Sequence, residues 1–169
     1  MNEKYGAIIL AGGRSSRMGK DKASLEISGK SMVERLLFKL SPIVAEVVVI
    51  RAPGQSAPNV PEELKDRTRV GWDSVKDRGP LQGIVDALPL LNSTIDKVFL
   101  LTCDLPYITT DWLQTLKDIL TDKLDIVCTE ENEIANPLLA IYRRNVLEPA
   151  SKLNTEGKSR PISLWEGWR

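Results

Sequence analysis

The sequence predicts an α/β protein in which a mostly parallel β-sheet is covered by helices on both faces. Three observations predict it. Strand-like and helix-like segments alternate along the chain, the strand-like runs are apolar throughout, and the residues able to carry chemistry fall just after those runs. Continuous apolar strands are buried on both faces, as parallel strands flanked by helices are. In such sheets ligands bind beyond the carboxyl ends of the strands, near the switch in strand order.

Tyr5 to Ala11 (YGAIILA) is the first continuous apolar run and ends in two glycines. Ser31 and Glu34 form a capping-box pattern that opens a helix. Val33, Leu36, Leu37 and Leu40 then recur at helical spacing until Pro42 stops it. Val47 to Ile50 is a second β-branched run. Residues 52–66 are rich in Pro, Gly and polar side chains and read as a loop with one short helical turn. Pro80 starts a helix through Leu88, because its missing N–H costs nothing in a first turn, and Pro89 ends it. Val98 to Thr102 is a third buried strand. Thr109 or Thr110 caps a helix with Trp112, Leu113, Leu116, Ile119 and Leu120 on one stripe. Asp125 to Thr129 and Leu138 to Tyr142 read as two more strands, and a last helix runs from about Arg144 to Leu153. The 169 residues suit one domain spanning 1–169, with roughly 70% of the unfolded surface buried.

Composition excludes several functions. Lys+Arg and Asp+Glu are both 23. A neutral chain argues against a nucleic-acid binder, whose footprint is basic, so any anion site must come from local clustering. There is no histidine, which removes Ser-His-Asp triads and the usual zinc hydrolase sites. Cys103 and Cys128 sit in apolar runs and read as core residues; two isolated cysteines make neither a disulfide framework nor a metal cluster. The apolar run at the N-terminus is too short for a signal peptide or a membrane span, so the cytoplasm is the expected location.

The segment Leu10 to Lys22, LAGGRSSRMGKDK, follows the first strand. Gly12 and Gly13 let the backbone turn sharply and approach a ligand, and successive N–H groups in such a turn form an anion-binding concavity. Arg14, Arg17, Lys20 and Lys22 surround it, opposed by Asp21 alone. The Walker pattern fails, since Gly13 to Gly19 is one residue too long and Asp21 follows Lys20; the dinucleotide pattern GxGxxG is absent. On spacing alone the run is either a triphosphate cradle or a solvated basic turn.

Asp104, in Thr102-Cys103-Asp104-Leu105-Pro106, falls directly after the third strand and is either a Mg²⁺ ligand or a turn aspartate. Mg²⁺ suits such a place because it takes one or two carboxylates and fills its shell with water and substrate phosphates. Asp73, in Gly71-Trp72-Asp73, is a ligand or a solvated loop acid. Gly79 and Gly83 either let a helix N-terminus approach a ligand or serve as a turn and a packing glycine. Asn136, before the strand of Leu138, is a turn residue or an acceptor contact. Trp165 and Trp168 read as packing residues before stacking platforms.

The stretch LAGGRSSRMGKDKASLEISGKSM resembles the signature loop of nucleotidyltransferases that load sugars, polyols or molybdopterin onto a nucleotide. Two glycines after Leu10-Ala11, the Cys103-Asp104-Leu105-Pro106 motif and the order of motifs from Ile8 to about Pro161 are similar to the molybdenum cofactor guanylyltransferases, a MobA-like family. The loop is specific for the superfamily and less so for guanylyl transfer, because cytidylyl-transferring relatives more often carry LAAG. The resemblance implies a Rossmann-like three-layer α/β/α fold of the nucleotide-diphospho-sugar transferase type. It implies that Leu10, Ala11 and Gly12 contact the nucleotide through their backbone, with Gly13, Asp73, Gly79, Gly83 and Asp104 in the same nucleotide-binding set. Lys22 would bind the phosphates, Lys22, Arg17 and Asp104 would be catalytic, Asp104 would hold Mg²⁺, and Asn136 would face the acceptor. The implied substrates are GTP and molybdopterin, with no nucleic acid or membrane partner and with transient contacts to other molybdenum cofactor biosynthesis proteins.

Two departures stand out. The family often has an asparagine at the end of the second strand, where this chain has Ile50 in VVVIRAP. Members also continue with a further strand and an asparagine-rich segment near the pterin, whereas this sequence stops at SLWEGWR. The acceptor side is then expected to be incomplete, altered or supplied by another chain. Three functions stay open: guanylyl transfer, cytidylyl or sugar-phosphate nucleotidyl transfer on the same fold, and a nucleotide-binding scaffold without catalysis.

Overall fold

The computed structural model describes residues 4–13 and 21–166. Strand β1 (Tyr5–Leu10) leads to a two-strand ribbon, β2 (Glu26–Ile27) and β3 (Lys30–Ser31), and then to α1 (Met32–Leu40), β4 (Glu46–Arg51) and β5 (Thr68–Trp72). Helix α2 (Pro80–Ala87), β6 (Lys97–Thr102), α3 (Thr110–Ile119), the hairpin β7 (Ile126–Glu131) and β8 (Ile134–Arg143), and the short helices α4 (Arg144–Leu147) and α5 (Ala150–Thr155) complete it. The main sheet has the order β5-β4-β1-β6-β8-β7. Its first four strands are parallel, while β8 runs antiparallel to β6 and β7 antiparallel to β8.

Side chains alternate across the sheet and fill two cores. Ile9, Val49 and Leu101 face α1 and α3 through Val33, Leu36, Leu37, Leu113 and Leu116. Ile8, Val48 and Leu100 face α2, α4 and α5 through Leu81, Ile84, Val146 and Ala150. This is the three-layer α/β/α arrangement expected. Each fully buried Leu or Ile contributes about 1.5–3 kcal/mol over its exposed state, so both cores hold the sheet between its helices. Among the described residues no helix is long and apolar enough to cross a membrane.

Local chemistry explains the helix starts. The Ser31 hydroxyl accepts from the Glu34 N–H at 3.2 Å and the Glu34 carboxylate accepts from the Ser31 N–H at 2.8 Å, closing the capping box. Thr109, not Thr110, caps α3, its hydroxyl accepting from the Trp112 N–H.

Four expectations need correction. Residues Thr68–Trp72 form a strand the apolar pattern does not announce; β5 lies at the sheet edge and is only partly covered, so it lacks a continuous apolar run. Ile119 is 48% exposed, because Leu120 takes the buried place at the end of α3. The last helix breaks into α4 and α5 around Pro149, whose ring and missing N–H oppose continuation. Asn136 and Pro137 lie inside β8 rather than before it. The pairing jumps from Cys128↔Ala140 to Thr129↔Asn136, so a bulge takes up Pro137, which cannot donate to a ladder. Cys103 and Cys128 are free thiols, the first buried and the second half-buried.

Candidate functional site

Strand register brings four carboxyl ends into one row. Leu10 pairs with Ile50 on one side and Thr102 on the other, Ile50 pairs with Gly71, and Leu101 pairs with Leu139 of β8. At this edge lies a cleft of about 560 Å³, within the roughly 300–1,000 Å³ usual for small-molecule sites. Leu10, Ile50 and Thr102 line it from the strand ends. Gly12, Gly13, Ala52, Asp73, Gly79 and Gly83 line it from the loops and from α2. The end of β4 thus presents Ile50 and Ala52 to the cleft, with no side-chain amide on either.

Gly12 shows why the loop after β1 must begin without side chains. A Cβ there would stand 2.7 Å from the backbone nitrogen of Ala52, a distance that real Cβ atoms do not show. The two loops therefore meet backbone to backbone. Gly79 starts α2 with φ +82°, a conformation that favours glycine, and Pro80 follows at the first helical position. A Cβ on Gly83 would reach Leu10 Cδ2 at 2.6 Å, so α2 packs tightly on the end of β1. The start of α2 is also tied down. Leu81 donates its N–H to Ser159 O at 3.1 Å, and Arg78 donates to the carbonyl and side-chain oxygens of Asn154. Asn154 in turn donates to Gln82 at 2.7 Å.

Asp73 carries the clearest chemical signal in the cleft. Its N–H bonds Arg51 O at 2.9 Å, which fixes the backbone, while its Oδ1 is buried with no hydrogen-bond partner. Burial and the nearby Asp86 carboxylate raise its pKa from 3.8 to about 6. An unsatisfied buried carboxylate oxygen is costly, and a ligand N–H or O–H would satisfy it. Asp86 itself is already engaged, accepting from Ser74 and Gln82.

Other expected residues fall elsewhere. Ala11 is buried and does not line the cleft; its N–H bonds Ile50 O at 2.8 Å and its carbonyl accepts from Arg51 at 2.6 Å. Asp104 is exposed just beyond Thr102, and Asn136 is exposed two residues before Leu138. Thr102 and Leu138, not Asp104 and Asn136, line the cleft as it stands. Asn136 Oδ1 accepts from the Leu138 N–H at 3.0 Å. Arg14, Arg17 and Lys20 lie outside the described residues, as does the side chain of Lys22, whose backbone opens the turn Lys22–Ser24. The Cys103 thiol is pushed up to about 11 by burial and by the Asp104 carboxylate, so it is not a nucleophile at neutral pH.

Asp21 forms a two-pronged ion pair with Arg51 from the end of β4. Arg51 was not singled out in the sequence, although a charged residue closing the apolar run VVVI was the available signal.

The chain is 34% identical over 165 residues to a probable molybdenum cofactor guanylyltransferase of Peptoclostridium acidaminophilum, covering 94% of this chain and 71% of the relative. It is 31% identical over 169 residues to one from Methanothermobacter thermautotrophicus, covering 98% and 85%. Among solved structures, the molybdopterin-guanine dinucleotide biosynthesis protein A of Archaeoglobus fulgidus superposes with a TM-score of 0.71 at 24% identity, over 95% of this chain and 78% of that one. The MobA-like NTP transferase domain matches residues 7–165; the chain belongs to that family.

Proposed function

We propose that this chain transfers GMP from GTP to molybdopterin in the presence of Mg²⁺, releasing pyrophosphate and forming molybdopterin guanine dinucleotide. The observation that carries the reading is the cleft at the carboxyl edge of the sheet, lined together by Gly12, Gly13 and Asp73, whose buried Oδ1 has no hydrogen-bond partner. The two relatives of the preceding comparison support the choice of guanine and of the molybdenum cofactor.

In the reaction an oxygen of the acceptor's terminal phosphate forms a bond to the α-phosphorus of GTP. The bond from that phosphorus to the bridging oxygen breaks, and pyrophosphate leaves with the electron pair. The acceptor phosphate is already ionised at neutral pH, so a chain with no histidine lacks nothing the step requires. Catalysis then rests on positioning and on charge stabilisation. Asp73 orients the nucleotide by accepting from a base or ribose donor. Gly13, with open space where a Cβ would stand, leaves room for the nucleotide to approach the backbone, and Gly12 lets the same loop lie against Ala52. Lys22 and Arg17 would balance charge on the leaving group.

The donor chemistry supports Mg²⁺. Asp104 offers one exposed carboxylate at the end of β6, and no cluster of three or more acids or cysteines exists among the described residues. That suits an ion that takes one or two carboxylates and keeps substrate oxygens and waters. Asp104 would hold it, and the bound ion supplies positive charge against the triphosphate. Asn136, whose side chain holds the amide of the cleft-lining Leu138, would act on the acceptor side. On the same reading residues 1–169 act as one nucleotidyltransferase domain, the enzyme works in the cytoplasm, and it meets other cofactor biosynthesis proteins transiently to collect its acceptor.

The test is to incubate the pure protein with molybdopterin, Mg²⁺ and each nucleoside triphosphate in turn, and to identify the dinucleotide by mass. The guanine dinucleotide is expected. A cytosine dinucleotide alone would make the chain a cytidylyltransferase, and tight GTP binding with no product would make it a non-catalytic nucleotide binder.

A further inference from the structure

The strongest polar feature not used above is Arg51. It closes an otherwise apolar strand, yet it is fully buried. Its guanidinium donates to Ala11 O at 2.6 Å, and to the Asp21 carboxylate with two nitrogens, Nη1 reaching Oδ1 at 3.2 Å. Its Nε donates to Ser56 O at 3.1 Å. Asp21 in turn accepts from the Ala23 N–H at 3.1 Å and from the Ser24 hydroxyl at 3.0 Å. Ala11 precedes the glycines of the signature segment, and Asp21 stands immediately before Lys22. One buried cation therefore bonds both flanks of residues 12–20, and the same carboxylate shapes the turn that carries Lys22.

We propose that Arg51, through its pair with Asp21, is the positioning residue that sets the two ends of the phosphate-binding segment at a fixed separation. This rests on the nucleotidyltransferase reading of the cleft. Three features of the arrangement support it. A two-pronged guanidinium–carboxylate pair fixes direction as well as distance. The pair lies between elements remote in sequence, β4 and the segment after β1, so it cannot be a product of local turn geometry. The backbone of Arg51 also holds Asp73 through its carbonyl, so one residue references both the phosphate side and the Asp73 side of the cleft to the same strand end.

The experiment compares Arg51→Gln, Arg51→Lys, Asp21→Asn and the double variant Arg51→Gln/Asp21→Asn. Each is followed by steady-state kinetics in GTP and in acceptor, and by native-state hydrogen exchange at the Ala11 and Ala23 amides. Misplaced binding groups cost roughly tenfold to a hundredfold, so Arg51→Gln and Asp21→Asn are each expected to raise the KM for GTP by about that factor. The KM for the acceptor should stay unchanged, a split that general loosening of the fold would not produce. Arg51→Lys keeps the charge without the fork and should recover only part of the loss. The double variant should be no worse than the worse single variant, because both act through one pair. Exchange at Ala11 and Ala23 should accelerate while Phe99 and Leu100 in the sheet centre stay protected. Unchanged exchange at both amides, or folded single variants with unchanged KM for GTP, overturns the proposal. If the unaltered protein forms no dinucleotide, the functional reading fails, while the exchange result still decides whether Arg51 holds the two flanks.

Discussion

Strands β4, β1 and β6 run parallel with both faces buried, whereas β7 and β8 form an antiparallel hairpin whose Glu130, Glu131, Ile134 and Asn136 stay exposed. The two halves border the same edge of the sheet but build it differently. The parallel half lines the cleft with strand ends and backbone: Leu10, Ile50, Gly12 and Ala52 are fixed by ladder bonds, by close approach and by the Arg51–Asp21 pair. The hairpin half meets the cleft only through Leu138, next to a bulge at Pro137. Backbone and buried charge hold one side rigid, and an edge hairpin leaves the other open to side-chain variation. On the proposed function, the rigid half binds the nucleotide and the hairpin half faces the acceptor.

The largest effects should come from removing the charges assigned to the chemistry. Asp104→Ala and Lys22→Ala are each expected to lose roughly 10²–10³-fold in turnover, as removal of a preorganised transition-state contact does. Steady-state rates at saturating Mg²⁺ measure this. For Asp104→Ala the Mg²⁺ concentration giving half-maximal rate should rise as well, while Lys22→Ala should leave it unchanged. Normal turnover in both would remove these residues from the chemistry.

A smaller effect tests the rigidity of the parallel half. Gly12→Ala places a Cβ 2.7 Å from Ala52 N, and neither backbone can yield without shifting a ladder. Overpacking of this kind costs about 1–3 kcal/mol, or several degrees in Tm at about 2–4 °C per kcal/mol. GTP affinity should fall in the same variant. Thermal melts and a binding isotherm check it, and a Gly12→Ala protein with wild-type Tm and affinity would show that the loops do not have to touch.

Asp73 gives a pH-dependent test within the same half. Its folded pKa, about 6, lies above the ordinary 3.8, so the folded state holds a proton that the unfolded chain releases. Stability is therefore lost as pH rises through that window and stays lower above it. Asp73→Asn removes the loss, so the variant should melt higher than the parent at pH 8, and the difference should vanish below about pH 4. Ligand binding runs the other way. If the ionised Oδ1 accepts from the nucleotide, affinity in the parent falls as pH drops through about 6, and the variant binds weakly at every pH. An Asp73→Asn protein that gains stability without losing affinity would leave the orphan oxygen as a structural flaw.

Much of the parallel half was legible in the sequence for a physical reason. Tyr5 to Leu10, Val47 to Ile50 and Val98 to Thr102 are buried on both faces, so composition alone marks them, and the Ser31–Glu34 box marks α1. β5 escaped notice because an edge strand with partial cover needs no apolar run. The bulge at Pro137 escaped because a proline inside a strand reads as a stop until its partner strand is known. The glycines and Asp73 were candidates by motif, and the structure places them around one cleft. Arg51 was not, because the value of a buried cation depends on Asp21, 30 residues away in sequence, and no local pattern reports such a partner.

The smallest expected effect bears on the hairpin side. Asn136 Oδ1 accepts from the Leu138 N–H at 3.0 Å on an exposed stretch of β8. In Asn136→Ala water can replace the lost acceptor, so the stability cost should be at the low end of about 0.5–1.5 kcal/mol, a Tm change of a few degrees at most. Leu138 lines the cleft, and the bulge that presents it would relax once its amide is released. The KM for the acceptor should then rise several-fold while the KM for GTP stays constant. That is the mirror image of the split expected for Arg51→Gln, and the pair of variants measured side by side tests whether the two halves of the sheet divide the substrates between them. A matched rise in both KM values for Asn136→Ala would mean that the hairpin and the parallel strands share one substrate surface, and the division drawn from their packing would not extend to binding.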